Sequence, residues 1–216
     1  MYTKININLL EPCSKKEPTR VLLQKGEDTV RSLSRANSVI VYTDGSSDID
    51  CNRGGADISI TYPSGNDVKL KIPTGQIASN FTTELIVIKE ALAYCRSHSL
   101  KDSIKEIVIF SDSKSALEAI HNRNTSITPE INTLLHLLNI RCTLQWIPAH
   151  VGIEGNECAD ALAKEARDDD QPRAVTCADA NAVARRRIYN QHLSHSGLIV
   201  KTRFPADPRS QACAVG

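Results

Sequence analysis

Two short apolar runs each stop on an aspartate: Ile40-Val41-Tyr42-Thr43-Asp44 and Ile107-Val108-Ile109-Phe110-Ser111-Asp112. Continuous β-branched and aromatic runs of this length read as strands buried on both faces of a sheet. In open α/β sheets the ligand site lies at the carboxyl ends of such strands. If the two strands are parallel neighbours, both carboxylates arrive at one place, and their mutual repulsion calls for cations. That is the chemistry of a metal site. Taken singly, each residue has a plainer use. Asp44 precedes Gly45-Ser46-Ser47 and suits a turn. Asp112 lies at a strand-to-helix junction and suits a helix N-cap.

Glu84 adds to the pair. At 100° per residue it shares a helical stripe with Ile88, Ala91 and Cys95, so it borders a buried face. A carboxylate there needs a cation, although a surface place near the helix's positive N-terminal end would also serve. Asp160 gives no such signal. The helix around it is predicted to pack through Cys158, Leu162 and Ala166, with Ala159 and Ala163 beside them, which puts Asp160 on the solvated side with Lys164 and Arg167. His150, in the Pro148-Ala149-His150-Val151-Gly152 loop, reads as an ordinary loop histidine.

Stepping outward, the elements that must position these residues run β-β-β-α-β-α-α-β-α. Strands are predicted at 39–43, 58–62, 68–72, 106–111 and 140–146, with Pro63-Ser64-Gly65-Asn66 as a hairpin turn. Thr82 or Thr83 caps a helix running to about Ser97; shorter helices cover 113–121 and the stretch from Pro129; a last one covers 156–167. The expected fold class is α/β: an antiparallel meander followed by parallel crossovers, with helices on the sheet faces.

Three stretches are expected: 1–37 as a flanking segment or linker, 38–170 as the folded domain, and 171–216 as a basic tail. That tail is expected to hold a helix over 178–189 with Arg185-Arg186-Arg187 and a poorly ordered end. The 216 residues carry a net charge of +1, but residues 38–170 hold 12 basic and 19 acidic side chains. An acidic middle suits divalent cations better than it suits polyanions held by counterion release. No run approaches a membrane span, and no apolar leader is visible. The seven cysteines form no C-x-x-C pair, which points to reduced thiols and an intracellular setting, nucleus or cytoplasm. A zinc site on Cys142, His150 and Cys158 matches no common ligand spacing.

Four tracts together carry a resemblance: YTDGSS at 42–47, TTEL at 82–85, FSDSKSAL at 110–117 and WIPAHVGIEGNECADALAKEA at 146–166. In order and spacing they resemble type 1 ribonuclease H, and the last most resembles the ribonuclease H domains of non-LTR retrotransposon reverse transcriptases. The resemblance covers about 38–168. It implies a ribonuclease H-like fold, with a five-stranded mixed sheet of order 3-2-1-4-5 flanked by helices. It further implies an endonuclease that hydrolyses the RNA strand of RNA–DNA hybrids with two Mg²⁺ ions, Mn²⁺ substituting. By the same resemblance the metal-binding acids fall on Asp44, Glu84, Asp112 and Asp160, and the mobile-loop histidine falls on His150. Asn80 and Ser46 match positions near the nucleic acid. The expected partners are the hybrid and a reverse transcriptase domain in a longer polyprotein, with no membrane and no small-molecule cofactor.

The chain departs from the family pattern in three places. Phe81 stands where many cellular members carry a polar residue, Asp57 stands where a small one is usual, and the segment between Asp112 and the fifth strand has only Lys114 and Arg123 as Lys or Arg residues. A catalytically degenerate binding remnant of a reverse transcriptase is the alternative reading, and a DNA-cutting nuclease on the same scaffold is a third.

Overall fold

The computed structural model describes residues 3–14, 16–48, 53–98, 104–172 and 176–195. Its centre is a mixed sheet built from β1 (Thr3–Asn6), β2 (Ser38–Asp48), β3 (Arg53–Thr61), β4 (Asp67–Pro73), β5 (Glu106–Ser111) and β6 (Arg141–Trp146). The strand order is β1-β6-β5-β2-β3-β4. From β4 to β6 this is the expected 3-2-1-4-5 order. There is one strand more than expected, because Thr3–Asn6 adds a parallel edge strand against Cys142–Gln145. β2, β3 and β4 form the antiparallel meander, while β2, β5 and β6 run parallel.

Helices cover both faces. On one face α2 (Asn80–Ser97), α3 (Lys114–Asn122) and α4 (Thr128–Leu137) bury a core with Val39, Val41, Ile58, Ile107, Ile109 and Leu144. The predicted stripe of α2, Leu85-Ile88-Leu92-Cys95, is fully inside it. Its N-cap is Ser79, whose hydroxyl accepts the Thr82 N–H at 3.2 Å, three residues earlier than the Thr82 expected as cap.

On the other face, Val108, Phe110, Ile147 and Ile153 are covered by Leu23, Val30 and Leu33 of α1 (Thr19–Leu33). The segment expected as flank or linker thus contains a strand and a helix of 15 residues. Next to α1 lies α5 (Glu154–Glu165), followed by a 3-10 turn at Ala166–Asp168. The predicted contact stripe of α5 is shifted. Asn156, Ala159, Ala163 and Ala166 are buried, whereas Cys158 and Leu162 are half-exposed. Small residues face inward because the helix backbone rests on β3: a Cβ on Gly55 would lie 2.2 Å from the Ala163 carbonyl oxygen.

A last helix, α6, spans Cys177–His195 and includes the basic stretch expected to be helical. The expectation of poor order falls on 196–216, outside the described residues. Among the described residues no helix is long and apolar enough to cross a membrane, and Cys13, Cys95, Cys142, Cys158 and Cys177 are free thiols.

Candidate active site

β2 and β5 are parallel neighbours whose register ends with Thr43 beside Ser111, so Asp44 and Asp112 leave the shared ladder side by side. β2 does not stop there. It continues to Asp48, because Asp44–Asp48 stay paired with β3 on the other side. Neither aspartate has the plainer use open to it. Asp44 is in a strand and not a turn, and the cap of α3 is Ser113, whose hydroxyl accepts the Ala116 N–H. Asp112 is instead held by Asn156, which donates to its Oδ2 at 3.1 Å, and by Trp146, whose indole N–H donates to its carbonyl at 3.0 Å.

Glu84 reaches the same point from α2. A Cβ on Gly45 would come within 2.6 Å of the Glu84 nitrogen and the Thr83 hydroxyl, so only glycine lets β2 approach the first turn of α2 this closely. The outcome is a triad of two buried acids and one half-buried acid: one carboxylate oxygen each from Asp44, Glu84 and Asp112 lie within 4.8 Å of one another. At that separation two like charges repel by about 3 kcal/mol at an effective dielectric near 20. Burial, and then the charges of Asp112 and Asp160, push the Asp44 carboxyl up to about 8. Burial likewise raises Asp112, against the Asn156 hydrogen bond and His150, which lower it. A crowded set of hard oxygen donors that resists ionisation fits a divalent cation.

Asp160 is closer to this triad than helical periodicity indicated. Its side chain is 15% exposed and its charge acts on both Asp44 and Asp112. The shift of the buried stripe to the alanines carries it inward. Lys164, one turn on, donates to Asp160 Oδ2 at 2.6 Å and is a cation that partly offsets the cluster. His150 is exposed, in a left-handed backbone conformation at φ 51°, with a ring nitrogen within 4.8 Å of carboxylate oxygens of Glu157 and Asp160. The zinc trio does not form: Cys142 is buried in the core and belongs to neither of the two groups of ligating residues found among the described residues.

Three contributors were invisible in the sequence. Asn156 carried no signal beyond its place within the tract at 146–166. Glu157 accepts the Gly152 N–H at 3.1 Å and so ties the His150 loop to α5. α1 abuts the same loop, since a Cβ on Gly26 would lie 2.7 Å from Ile153 Cδ1. Asn80 is exposed at the start of α2 and its carboxamide oxygen accepts the Ser47 N–H at 2.6 Å; Ser46 is half-exposed beside it. Phe81 is 38% exposed on the same rim.

A profile of the RNase H family matches residues 36–168, more than half of the chain. The chain belongs to the RNase H family. Two curated proteins named ribonuclease H, from Tropheryma whipplei strains Twist and TW08/27, are each 28% identical to it over 160 residues, covering 64% of this chain and 90% of theirs. A crystal structure of RNase H1 from the halophilic archaeon Halobacterium salinarum is similar in fold, with a TM-score of 0.51 at 22% identity over 62% of this chain and 99% of that one. The enzyme class expected from the four tracts, a ribonuclease H, is the class this family supplies. The RNase H family is divalent-metal dependent and binds RNA–DNA hybrids, and Asp44, Glu84 and Asp112 form the acidic cluster such a metal needs.

One buried acid stands apart from the cluster. Asp57, paired across the ladder with Asp44, is fully buried; Ser59 donates to its Oδ2 at 2.9 Å, while Oδ1 has no hydrogen-bond partner. Burial pushes its carboxyl up to about 6. Between about 4 and 6 the unfolded chain has released a proton that the folded protein keeps, and above that the folded protein holds the charge in a poorly solvated place, so stability falls as pH rises from about 4 through 6. Asp57→Ala is therefore expected to raise stability by about 1–2 kcal/mol at pH 7.5, with the gain gone near pH 4. Thermal unfolding at the two pH values in chelator checks this; an equal effect at both would show that the charge is not the cause.

Proposed function

We propose that this ribonuclease H cuts the RNA strand of RNA–DNA hybrids endonucleolytically with two Mg²⁺ ions, Mn²⁺ substituting. The observation that carries the reading is the convergence of the Asp44, Glu84 and Asp112 carboxylates within 4.8 Å, with the Asp160 charge beside them. Asp44, Glu84, Asp112 and Asp160 would hold the two ions. When bound, the pair of ions supplies an activated water for in-line attack at phosphorus and neutralises the charge on the departing 3′-oxygen.

The protein's own groups do the rest. Asn156 and Trp146 hold Asp112 in one orientation, so the carboxylate oxygens are presented without searching rotamers. His150, on a loop tied down by Glu157 and α1, accepts and returns a proton near Asp160 without being a metal ligand. Ser46 and Asn80 line the rim where 2′-hydroxyls of an RNA strand pass in the wide minor groove, which makes recognition largely independent of sequence. We further propose that the chain derives from a non-LTR retrotransposon, acts within the cell, and works beside a reverse transcriptase domain. The tract at 146–166 supports that origin.

His150→Ala is expected to slow turnover about 10- to 100-fold while leaving metal and hybrid affinity in place. Complete loss would give the histidine a larger part than proton transfer. The substrate class is tested by incubating the chain with labelled hybrid, double-stranded RNA and double-stranded DNA, with Mg²⁺ and with chelator. Only the RNA of the hybrid should be cut, and only with Mg²⁺. Binding to hybrid with no cleavage would identify a degenerate remnant, and cleavage of duplex DNA would identify a different nuclease.

A further inference from the structure

The basic stretch at 185–187 takes no part in the site described above, yet it is attached to the site's edge. Asp179, 5% exposed, fastens the start of α6 to the start of α2. Its Oδ1 accepts the Ser79 N–H at 3.2 Å and the Thr82 hydroxyl at 3.0 Å, and its Oδ2 accepts the Thr176 hydroxyl at 2.6 Å. Ser79 and Thr82 flank Asn80, the rim residue bonded to Ser47, and Glu84 is one half-turn further. Just upstream, Gln171 accepts the N–H groups of Gly54 and Gly75, so the chain leaving α5 is pinned across the same end of the sheet.

From Ala180 to His195 the helix has three arginines and no acidic residue. Val183 is half-buried, and beyond it every described side chain, Arg185 and Arg186 included, is exposed. At 1.5 Å per residue Arg185 stands about 9 Å and residue 187 about 12 Å along the axis from the anchor. The part of the chain that holds the four carboxylates, 38–170, carries seven more acidic than basic side chains. A polyanion brought to that surface needs a positive grip from elsewhere, and α6 is the basic element fastened within reach.

We infer that α6 is a nucleic-acid grip: its basic turn at 185–187 contacts the phosphate backbone of a hybrid seated at the four-carboxylate site. The inference rests on the reading of that site as a hybrid nuclease. The contacts are to phosphates, so the grip is indifferent to sequence and adds salt-dependent affinity instead of base specificity.

The test uses the full chain and two triple variants, R185A/R186A/R187A and R185K/R186K/R187K. Affinity for a fluorescent hybrid is measured by anisotropy in chelator across a range of NaCl concentrations, and Mg²⁺-dependent cleavage is measured alongside. For the alanine variant we expect affinity about 10- to 100-fold weaker at low salt, the slope of log affinity against log salt shallower by about 2–3, and the loss in cleavage falling on KM. The lysine variant, which keeps the charges, should keep most of the slope. An alanine variant with unchanged affinity and slope would overturn the grip, as would a lysine variant that loses as much as the alanine one. Absence of cleavage by the wild type would instead overturn the nuclease reading, while the anisotropy series would still report on α6.

Discussion

Asp112→Asn is expected to abolish Mg²⁺-dependent cleavage, lowering the rate by at least about 10³-fold, while the fold persists. The substitution keeps the shape of the side chain and its contact with Asn156 but removes one of the three oxygen charges that converge within 4.8 Å. A metal held by carboxylates depends on that charge more than on shape. Because Asp112 is raised by burial and faces the charge of Asp160, the neutral variant also relieves repulsion in the metal-free protein. Its melting temperature in chelator should therefore equal or exceed that of the wild type. Retained cleavage would remove Asp112 from the site, and a collapse in stability would show that its role is structural.

The second large effect is a linkage between pH, metal and stability. The Asp44 carboxyl sits at about 8 in the folded, metal-free protein against an ordinary value of 3.8. Between those values the folded state keeps a proton that the unfolded chain has released. Stability in chelator must then decline as pH rises from about 4 through 8, by on the order of 2–5 kcal/mol. Mg²⁺ has to displace that proton, so its apparent affinity should climb up to about tenfold per pH unit across pH 6–8 and level off above. Calorimetric melting at pH 5, 7 and 9, with chelator and with Mg²⁺, reads both effects. In Asp44→Asn the decline should be much shallower. A wild-type profile that rises with pH in chelator would mean that the carboxylates are not crowded as described.

These effects trace back to residues that differed in how far the sequence exposed them. Asp44 and Asp112 were legible because continuous apolar runs mark buried parallel strands, and strand ends of one direction share one edge. Glu84 was legible because a charged residue on an otherwise apolar helical stripe is costly. Asp160 was misjudged on periodicity. The buried side of α5 is made of alanines and Asn156, chosen for close approach to Gly55, and large residues such as Leu162 drew the stripe away from it. The fold's parallel and antiparallel order followed from strand type and connection length. β1 did not, because four residues (TKIN), two exposed and two half-buried, hold too little pattern. α1 was hidden by Gly26, which reads as a helix breaker; in the structure the glycine is what lets Ile153 and the His150 loop pack against the helix.

The same packing explains why an acidic surface can serve a nuclease. Acidic charge is concentrated where the sheet ends, and the arginine run of α6 lies outside the span that the family profile matches. The measurement that bears most directly on the four-carboxylate site is single-turnover cleavage of an RNA strand, labelled at its 5′ end and annealed to DNA, as Mg²⁺ is raised from zero. The expected result is RNA fragments ending in a 3′-hydroxyl, an intact DNA strand, no product in chelator, and a rate that rises more steeply than the first power of Mg²⁺ at low concentration. Cleavage that persists in chelator, or that follows Mg²⁺ to the first power throughout, would contradict a two-ion site held by Asp44, Glu84, Asp112 and Asp160.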